Sequence, residues 1–579
     1  MTETSRKESS TSCGVRAMRV KKSNNRKTLS TILSKIRHAE HTPDMQYMVI
    51  YSFLYKYCSD VLKDYLKSLI ENKSITLDEA YRDENQRETL KNAALETFGY
   101  HIDNPDCYMD EVINAMYPER FFAYDFFEVF TRNVMFADGS NYRSYFNFIF
   151  DSVKHAVNFN KFEFVGENHL IVKDIIYSIS KLDVFEEAFP FERVFDKVCQ
   201  SRLINIDHDP DYINRIISAI VSSSIKKPRD VYNPFLNDAS SIISLSGDYG
   251  VSFENTFAKS QDNTTYCCSL IKLLMNHFDL DRVYCEFGSP FDSFDDSRAK
   301  FDVVISRIPP ITARNINRLN MTSSPEIIKQ NRRKQLEGLL SDKFNMDENS
   351  FKMDDQLNEA LENLVSKMDL DDGEVHFYGE YAPLKDSEYL FLMDMINSLR
   401  DDGVMVVSMS QSFLFKNSLQ LLRKYLTYEK NCIDAIISVP DELSRPSRSE
   451  IIMIFTKNRS SDDIVFIDMS TDFKTKKEPY AVSGLFKRNL VLDDDTVGNV
   501  LDVYNKRKVI EKFSNVVGIS QIKENEFNLS ISRYVDTFEG EFVNLKDLAN
   551  DKEKLDRNNE ILSEKIEKMM KELDIKFER

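Results

Sequence analysis

The stretch Val231-Tyr-Asn-Pro-Phe-Leu-Asn-Asp-Ala239 decides how this chain is read. It follows directly on Asp230 in a short apolar run and opens onto Ser240-Ser-Ile-Ile-Ser-Leu, whose apolar spacing predicts a helix. Strand, tight loop and helix in that order make the place where α/β proteins bring backbone amides up to a charged or ribose-bearing ligand. Such loops use glycine because a side chain keeps the ligand away. Here Asn237 and Ala239 stand where glycines are expected. The scaffold is that of a ligand-binding sheet, but the loop chemistry is altered.

Working outward, an amphipathic helical pattern over 212–223 leads into the first strand. Further strands are predicted at 251–253, 282–285 and 301–305, with a helix over 264–278 among them. After an interruption the alternation resumes with a helix over 388–399, a strand over 403–408 and a helix over 417–428. Strands at 432–439, 451–455 and 464–467 close the unit. Near-continuous apolar strands alternating with helices imply an α/β fold, a doubly wound, mostly parallel sheet covered on both faces. Its ligand crevice belongs at the carboxyl ends of the strands, where both Val231–Ala239 and Ile308-Pro309-Pro310 fall.

The rest of the chain divides around this sheet. Residues 42–205 are helical and rich in aromatics with no strand alternation, and predict an N-terminal helical domain. The sheet domain spans 206–475 and carries a charged helical insertion at 312–373. Arg314, Arg318, Lys329, Arg332, Arg333 and Lys334 cluster at the start of that insertion, as a solvated face or a phosphate track. An extension covers 476–540. In the tail, 541–579, Leu548, Leu555, Leu562 and Met569 recur every seven residues, with Leu545, Ile566 and Leu573 in the companion register. That is a coiled-coil helix, which must pack its stripe on a partner helix. Residues 1–41 form a basic segment, read either as an arm on phosphates or as a solvated tail.

A chain of 579 residues is long enough for several domains, and a net charge of −18 excludes a general coat for nucleic acid. No apolar run reaches the roughly 18 residues of a membrane span, and no signal-peptide core opens the sequence. The eight cysteines include no C-x-x-C pair, so neither a zinc site nor a disulfide framework is expected, and the expected compartment is the cytoplasm. The acids and histidine of Asp207-His208-Asp209-Pro210-Asp211 invite a metal reading. Helix-start statistics favour Asp209 as N-cap and Pro210 as the first helical residue, so no metal is expected. No nucleophile elbow, Walker loop or H-E-x-x-H motif is present.

The order of elements resembles the modification (M) subunits of type I restriction–modification systems, adenine-specific DNA methyltransferases with a class I methyltransferase-like sheet. Val231-Tyr-Asn-Pro234 is similar to the start of the family's V-Y-D-P loop. Phe301-Asp-Val-Val-Ile305 with Pro309-Pro310 resembles its F-D-V-V strand and N-P-P-F segment. Ile433-Asp-Ala-Ile-Ile-Ser-Val-Pro440 resembles a further strand. Phe527-Asn-Leu-Ser-Ile-Ser-Arg-Tyr-Val-Asp-Thr-Phe538 is very like the F-N-L-x-I-x-R-Y-V-D-T-F signature ahead of the coiled coil. The resemblance implies S-adenosylmethionine as cofactor, DNA as substrate, a specificity subunit bound through the coiled coil in a hetero-oligomer, and a restriction subunit in the same system.

Carried onto this chain, the resemblance exposes four departures. The family's base-gripping segment falls on Ile308, Pro309, Pro310 and Ile311, with Arg307 as the acceptor position if one residue is inserted. An aliphatic side chain cannot accept a hydrogen bond, and Arg has only donors. In the cofactor loop Asn233 replaces an acid beside Pro234, and Asn237 and Ala239 replace glycines. The ribose-binding acid falls near Ser260 and Gln261. The dipeptide that holds the donor's carboxylate becomes Asp209-Pro210, an acid facing an acid. These departures imply an M-like subunit whose methyl transfer is impaired or lost. The alternatives are an active methyltransferase with a divergent pocket and an α/β interaction protein that does not bind DNA.

Overall fold

A computed structural model describes residues 24–38, 42–70, 75–117, 123–156, 167–206, 208–260, 262–288, 300–308, 390–439, 449–469, 474–479, 486–536 and 545–572. The insertion 312–373 and residues 1–23 lie outside these. Thirteen strands occur among the described residues. β1 (Tyr100–Ile102) and β2 (Val134–Phe136) form a small antiparallel pair inside the helical region. The strands β3 (Asp230–Asn233), β4 (Asn255–Ser260), β5 (Val283–Phe287), β6 (Phe301–Arg307) and β7 (Leu399–Ser410) follow. Then come β8 (Ile433–Ser438), β9 (Glu450–Thr456), β10 (Ile464–Asp468), β11 (Lys474–Pro479), β12 (Phe486–Val491) and β13 (Ser514–Val517).

Nine of these build one sheet in the order β5-β4-β3-β6-β7-β9-β8-β10-β13. β5, β4, β3, β6 and β7 run parallel to one another. β9 is reversed between β7 and β8, and β13 closes the far edge antiparallel to β10. Placing β4 and β5 on one side of β3 and β6 and β7 on the other creates a switch point between β3 and β6. Alternate residues serve opposite faces. Val231, Val303, Ile305, Val406 and Ile452 enter one core, while Tyr232, Val304, Met405, Val407 and Met453 enter the other. Burial of both faces is why these strands read as continuous apolar runs.

The first core is continuous with the helical region, joining Ile32, Tyr51, Phe126 and Phe195 to Val231 and Ile271. That region also covers the sheet edge. The Tyr145 hydroxyl donates to the Val283 carbonyl and accepts from the Cys285 amide at 3.0 Å, which occupies backbone groups that edge strand β5 would otherwise offer to another chain.

Four expectations need correction. Part of the basic segment 1–41 is a helix, Asn25–His38, that buries Leu29, Ile32 and Ile36. β1 and β2 interrupt the helical domain. The strand expected at 251–253 lies instead at Asn255–Ser260, because Val251 packs at the end of the preceding helix and donates its amide to the Leu245 carbonyl at 3.1 Å. The helix expected over 417–428 breaks into a short α-turn, Gln420–Lys424, and a wider π-turn, Tyr425–Glu429. The tail helix runs over Leu545–Glu572, and no helix among the described residues is long and apolar enough to cross a membrane.

Candidate active site

The loop after β3 is satisfied from within. Buried Asn233 accepts from the Phe235 amide at 3.0 Å and donates to the Ser241 hydroxyl at 3.0 Å, an Asx turn that ties the strand to the next helix. The Leu236 amide donates to the Lys259 carbonyl at 2.9 Å and the Asn237 amide to the Phe235 carbonyl at 2.8 Å. The Ser240 amide donates to Asp238 at 3.2 Å. Four amides around the loop are thereby used by this chain itself. Pro234 is buried between them. Ala239 sits at φ +60°, a left-handed conformation at the start of the helix Ser240–Gly247. The turn of a glycine loop persists with an alanine in it, at a cost of about 1–2 kcal/mol.

Behind the loop lies a buried charge network. The Asp238 carboxylate, 2% exposed, accepts from the Ser240 hydroxyl at 2.7 Å, from Lys272 Nζ at 3.1 Å and from His208 Nδ1. Lys272, on the helix Asn263–Met275, also donates to the Ser240 hydroxyl at 3.0 Å and pairs with Asp196 at 2.8 Å. Burial opposes ionisation of Asp238, but Lys272 and His208 outweigh it and hold its carboxyl well below the usual range. Burial likewise disfavours protonated His208, yet Asp238 and Asp211 raise its pKa to about 10. Asp209, 1% exposed, accepts from Asn237 Nδ2 at 2.7 Å and faces the Arg307 guanidinium at 3.9 Å. Burial and then the neighbouring Asp238 push its carboxyl up to about 6, against Arg307.

Across the switch point, the end of β6 is locked to β9. Arg307 grips Glu450 with two parallel bonds, Nε to Oε2 at 3.0 Å and Nη2 to Oε1, the fork geometry that suits guanidinium and carboxylate. The Ser408 hydroxyl adds a 3.0 Å bond to the same carboxylate. The buried Ile308 merely extends the ladder, its amide donating to the Ser408 carbonyl at 2.8 Å. Ser306 is fully buried and its hydroxyl has no hydrogen-bond partner among the described residues. Strand alternation points it to the face opposite Arg307, so it does not supply the missing acceptor there.

The structure thus joins Asp209 to Asn237 directly and sets both in one cluster with Ala239 and Arg307. Ser260 stands apart, buried at the end of β4 with its hydroxyl 3.4 Å from the Asp262 carbonyl. Asp207, Gln261, Pro309, Pro310 and Ile311 lie outside the described residues. Asp209 is not a cap, because the helix starts at Asp211 with Pro210 as its flanking residue. Its carboxylate turns inward to Asn237 instead. Among the described residues no group of acids, histidines and cysteines could hold a metal ion. Sequence reasoning missed Lys272, Asp196 and Glu450. Lys272 had a signal: it is a lone charge inside the apolar run Tyr266–Met275, and a lysine buried there needs an acid.

The family model for N-6 DNA methylases matches residues 312–542. The methylase subunit of the type I restriction enzyme MpnII of Mycoplasma pneumoniae is 26% identical over 220 residues, which is 37% of this chain and 38% of that protein. The methylase subunit of the MjaVII enzyme of Methanocaldococcus jannaschii is 29% identical over 194 residues, 32% of each chain. Over these stretches the chain is similar to N-6 DNA methylases and to type I methylase subunits. The matched stretches span less than two fifths of the length of these two relatives. A crystal structure of a type I methyltransferase subunit from Streptococcus thermophilus shares the fold, with a TM-score of 0.61 at 17% identity over 88% of this chain and 99% of that one.

Set beside the family pattern it resembles, the arrangement is unusual in one respect. The resemblance implies S-adenosylmethionine on the β3 loop, and the residues present do not fit it. Four of the loop's amides already have partners, the Asn237 side chain is spent on Asp209, and Ala239 carries a Cβ where close approach needs none.

Proposed function

We propose that this chain is a DNA-associated, modification-type subunit of a type I restriction–modification complex whose own methyl transfer is impaired or lost. The observation that carries the second half is Arg307. Adenine methylation needs an acceptor for the exocyclic amine of a flipped base. Arg307, the polar candidate for that position at the end of β6 among the described residues, has donors alone and is fixed on Glu450. The self-satisfied β3 loop supports the same reading from the cofactor side.

The similarity to type I methylase subunits and the exposed heptad side chains support the first half. Leu555 and Leu562 are 62% and 54% exposed on the helix Leu545–Glu572. A stripe of that kind fits a helix of a specificity subunit, in a hetero-oligomer that also engages DNA and a restriction subunit. A working but divergent methyltransferase is favoured by one observation, the retained left-handed turn at Ala239.

Calorimetric titration with S-adenosylmethionine, with and without the specificity partner, separates the two. Absence of heat with an unchanged melting temperature is the expected result. Micromolar binding would overturn the loss of cofactor affinity and call for a methylation assay.

A further inference from the structure

The helix Asn25–His38 carries no acid in any of its fourteen residues, in a chain of net charge −18. At about 3.6 residues per turn its side chains divide cleanly between two sides. Asn25, Leu29, Ile32 and Ile36 are buried together on one. Arg26, Lys27, Ser30, Thr31, Arg37 and His38 are exposed on the other. The exposed side forms two neighbouring rows, Arg26, Ser30 and Arg37 in one and Lys27, Thr31 and His38 in the next. Each row is about 16 Å long at a rise of about 1.5 Å per residue.

Folding does not call for all of these cations. Arg37 and His38 suit the negative end of the helix dipole, but Arg26 and Lys27 sit in the first turn, at the positive end, where cations are disfavoured. Arg26 is crowded as well, because its guanidinium and that of Arg193 lie over the same Phe189 ring, 5.4 and 5.3 Å from its centroid. The neighbouring acids are engaged at the helix margins. Glu186 accepts from the Asn25 backbone amide at 2.8 Å, and Asp174 pairs with Lys35 at 3.6 Å.

The exposed face is also held on a fixed seat. The Asn25 side chain donates to the carbonyls of Asp183 at 2.8 Å and Phe189 at 3.1 Å, and accepts from the Asp183 amide at 2.9 Å. Near the other end, Lys35 donates to the Asp174 carbonyl at 3.0 Å and the Ser178 hydroxyl at 3.2 Å. The helix Phe191–Cys199 packs beneath, and its Asp196 joins the crevice network through Lys272. A ligand therefore meets side chains whose backbone is already placed, which lowers the cost of ordering them.

We infer that the exposed face of the helix Asn25–His38 is a docking strip for the phosphate backbone of duplex DNA. This rests on the DNA association proposed above and assigns it to a surface. Charge complementarity selects the occupant: cations at both ends of an acid-free face, with hydroxyls between them, match the donors that proteins commonly present to phosphate oxygens. An anionic membrane is the competing polyanion. A helix that lies on a membrane inserts its apolar side, and here Leu29, Ile32 and Ile36 are already in the protein core.

The test is fluorescence anisotropy of the full chain, alone and with its specificity partner, on a labelled random-sequence duplex over a salt series. Each phosphate contact contributes about 0.9 to the slope of log affinity against log salt, so Lys27→Gln with Arg37→Gln should flatten the slope by roughly 2. Lys226→Gln with Lys227→Gln, exposed cations beside the amino end of β3 that remove the same charge, should leave it unchanged. Ser30→Lys, between the two arginines of its row, should steepen the slope by roughly 1, a gain that a poorly folded variant does not give. An unchanged slope in the helix variants, or an equal fall in the control, overturns the strip while leaving DNA association intact. Binding to phosphatidylserine vesicles that Lys27→Gln with Arg37→Gln abolishes, with duplex binding untouched, would transfer the face to a membrane. A parent chain that does not bind the duplex at low salt in either state overturns both the strip and DNA association.

Discussion

Two regions of this molecule bury charge in opposite ways. In the crevice, Asp238, His208, Lys272, Asp209 and Arg307 answer one another across several elements, and the sequence there departs from the family's motifs. At the far side of the sheet a buried cation, Arg423, answers backbone carbonyls. It is 2% exposed and donates to the carbonyls of Phe527 at 2.7 Å, Phe413 at 2.9 Å and Lys416 at 2.8 Å. Phe527 opens the family-like signature, and with Glu526 it forms two successive left-handed residues that are not glycine. The Leu529 amide then bonds the Leu414 carbonyl at 2.8 Å, and Tyr534 packs on Phe466 with centroids 4.5 Å apart. The segment that leads to the tail helix is thus fastened to the sheet. The family's pattern persists where the chain holds its tail and lapses where it would hold a methyl donor.

The largest expected effect falls on the Arg423 site that fastens this segment. Arg423→Met would leave three carbonyls without their donor, at a cost of about 3–5 kcal/mol in urea unfolding. Earlier proteolytic release of residues beyond 527 should accompany it. A loss below about 1 kcal/mol, with the tail still protected, would show that Leu529 and Tyr534 fasten the segment unaided and would break the contrast drawn above.

The crevice is expected to be softer, since its charges have several partners each. Lys272→Met should cost about 2–3 kcal/mol, because Asp238 keeps His208 and Ser240 while losing its second cation. Adding Asp238→Asn to that variant should recover part of the loss, a coupling read by a double-mutant cycle. Simple additivity of the two would mean that the pair is not the unit described here.

Much of the sheet was legible because its strands are buried on both faces and read as apolar runs. Three features were hidden for physical reasons. β4, Asn-Thr-Phe-Ala-Lys-Ser, conceals a buried strand behind Lys259, whose ammonium reaches Glu286 at 3.0 Å. The helix Asn25–His38 carries Leu29, Ile32, Leu33 and Ile36 at helical spacing, but the surrounding basic residues drew the reading toward a tail. The charge network was illegible because its contacts join residues 208, 238, 272 and 307. Sequence could show that the glycines were gone. It could not show that Asn237 had been turned onto Asp209.

A smaller effect concerns pH. The pKa of His208 is raised from about 6.5 to about 10, so its contribution is complete below pH 6.5 and is lost as pH rises toward 10. Asp209 is also raised, to about 6, so the folded state prefers its protonated form, and stability falls as pH rises from about 4 to 6. His208→Gln should flatten the alkaline limb of a melting-temperature profile, and Asp209→Asn the acidic one. We expect each to change stability across its window by about 1–2 kcal/mol, allowing for the partly exposed His208 ring. A wild-type alkaline limb that survives His208→Gln would remove His208 from the network's energetics.

The smallest effect is the sharpest test of what the loop has kept. Ala239→Gly relieves a left-handed alanine, a gain of about 1 kcal/mol, and loosens the unfolded chain, a loss of about 0.5–1 kcal/mol. The net change in urea unfolding should lie near zero or slightly above. A clear destabilisation would mean that the methyl group, 1% exposed and part of the first core, matters more than the strain. The same substitution should not by itself restore affinity for S-adenosylmethionine, because Asn237 would still be held on Asp209. Asn237→Gly with Ala239→Gly removes both obstacles at the loop and leaves Arg307 on Glu450. If that double variant binds the cofactor and the parent does not, cofactor affinity was lost at two side chains and the turn beneath them is intact. If it remains silent, the amides bonded to Asn233, Lys259, Phe235 and Asp238 are what closed the site, and its loss is written into the backbone of the loop.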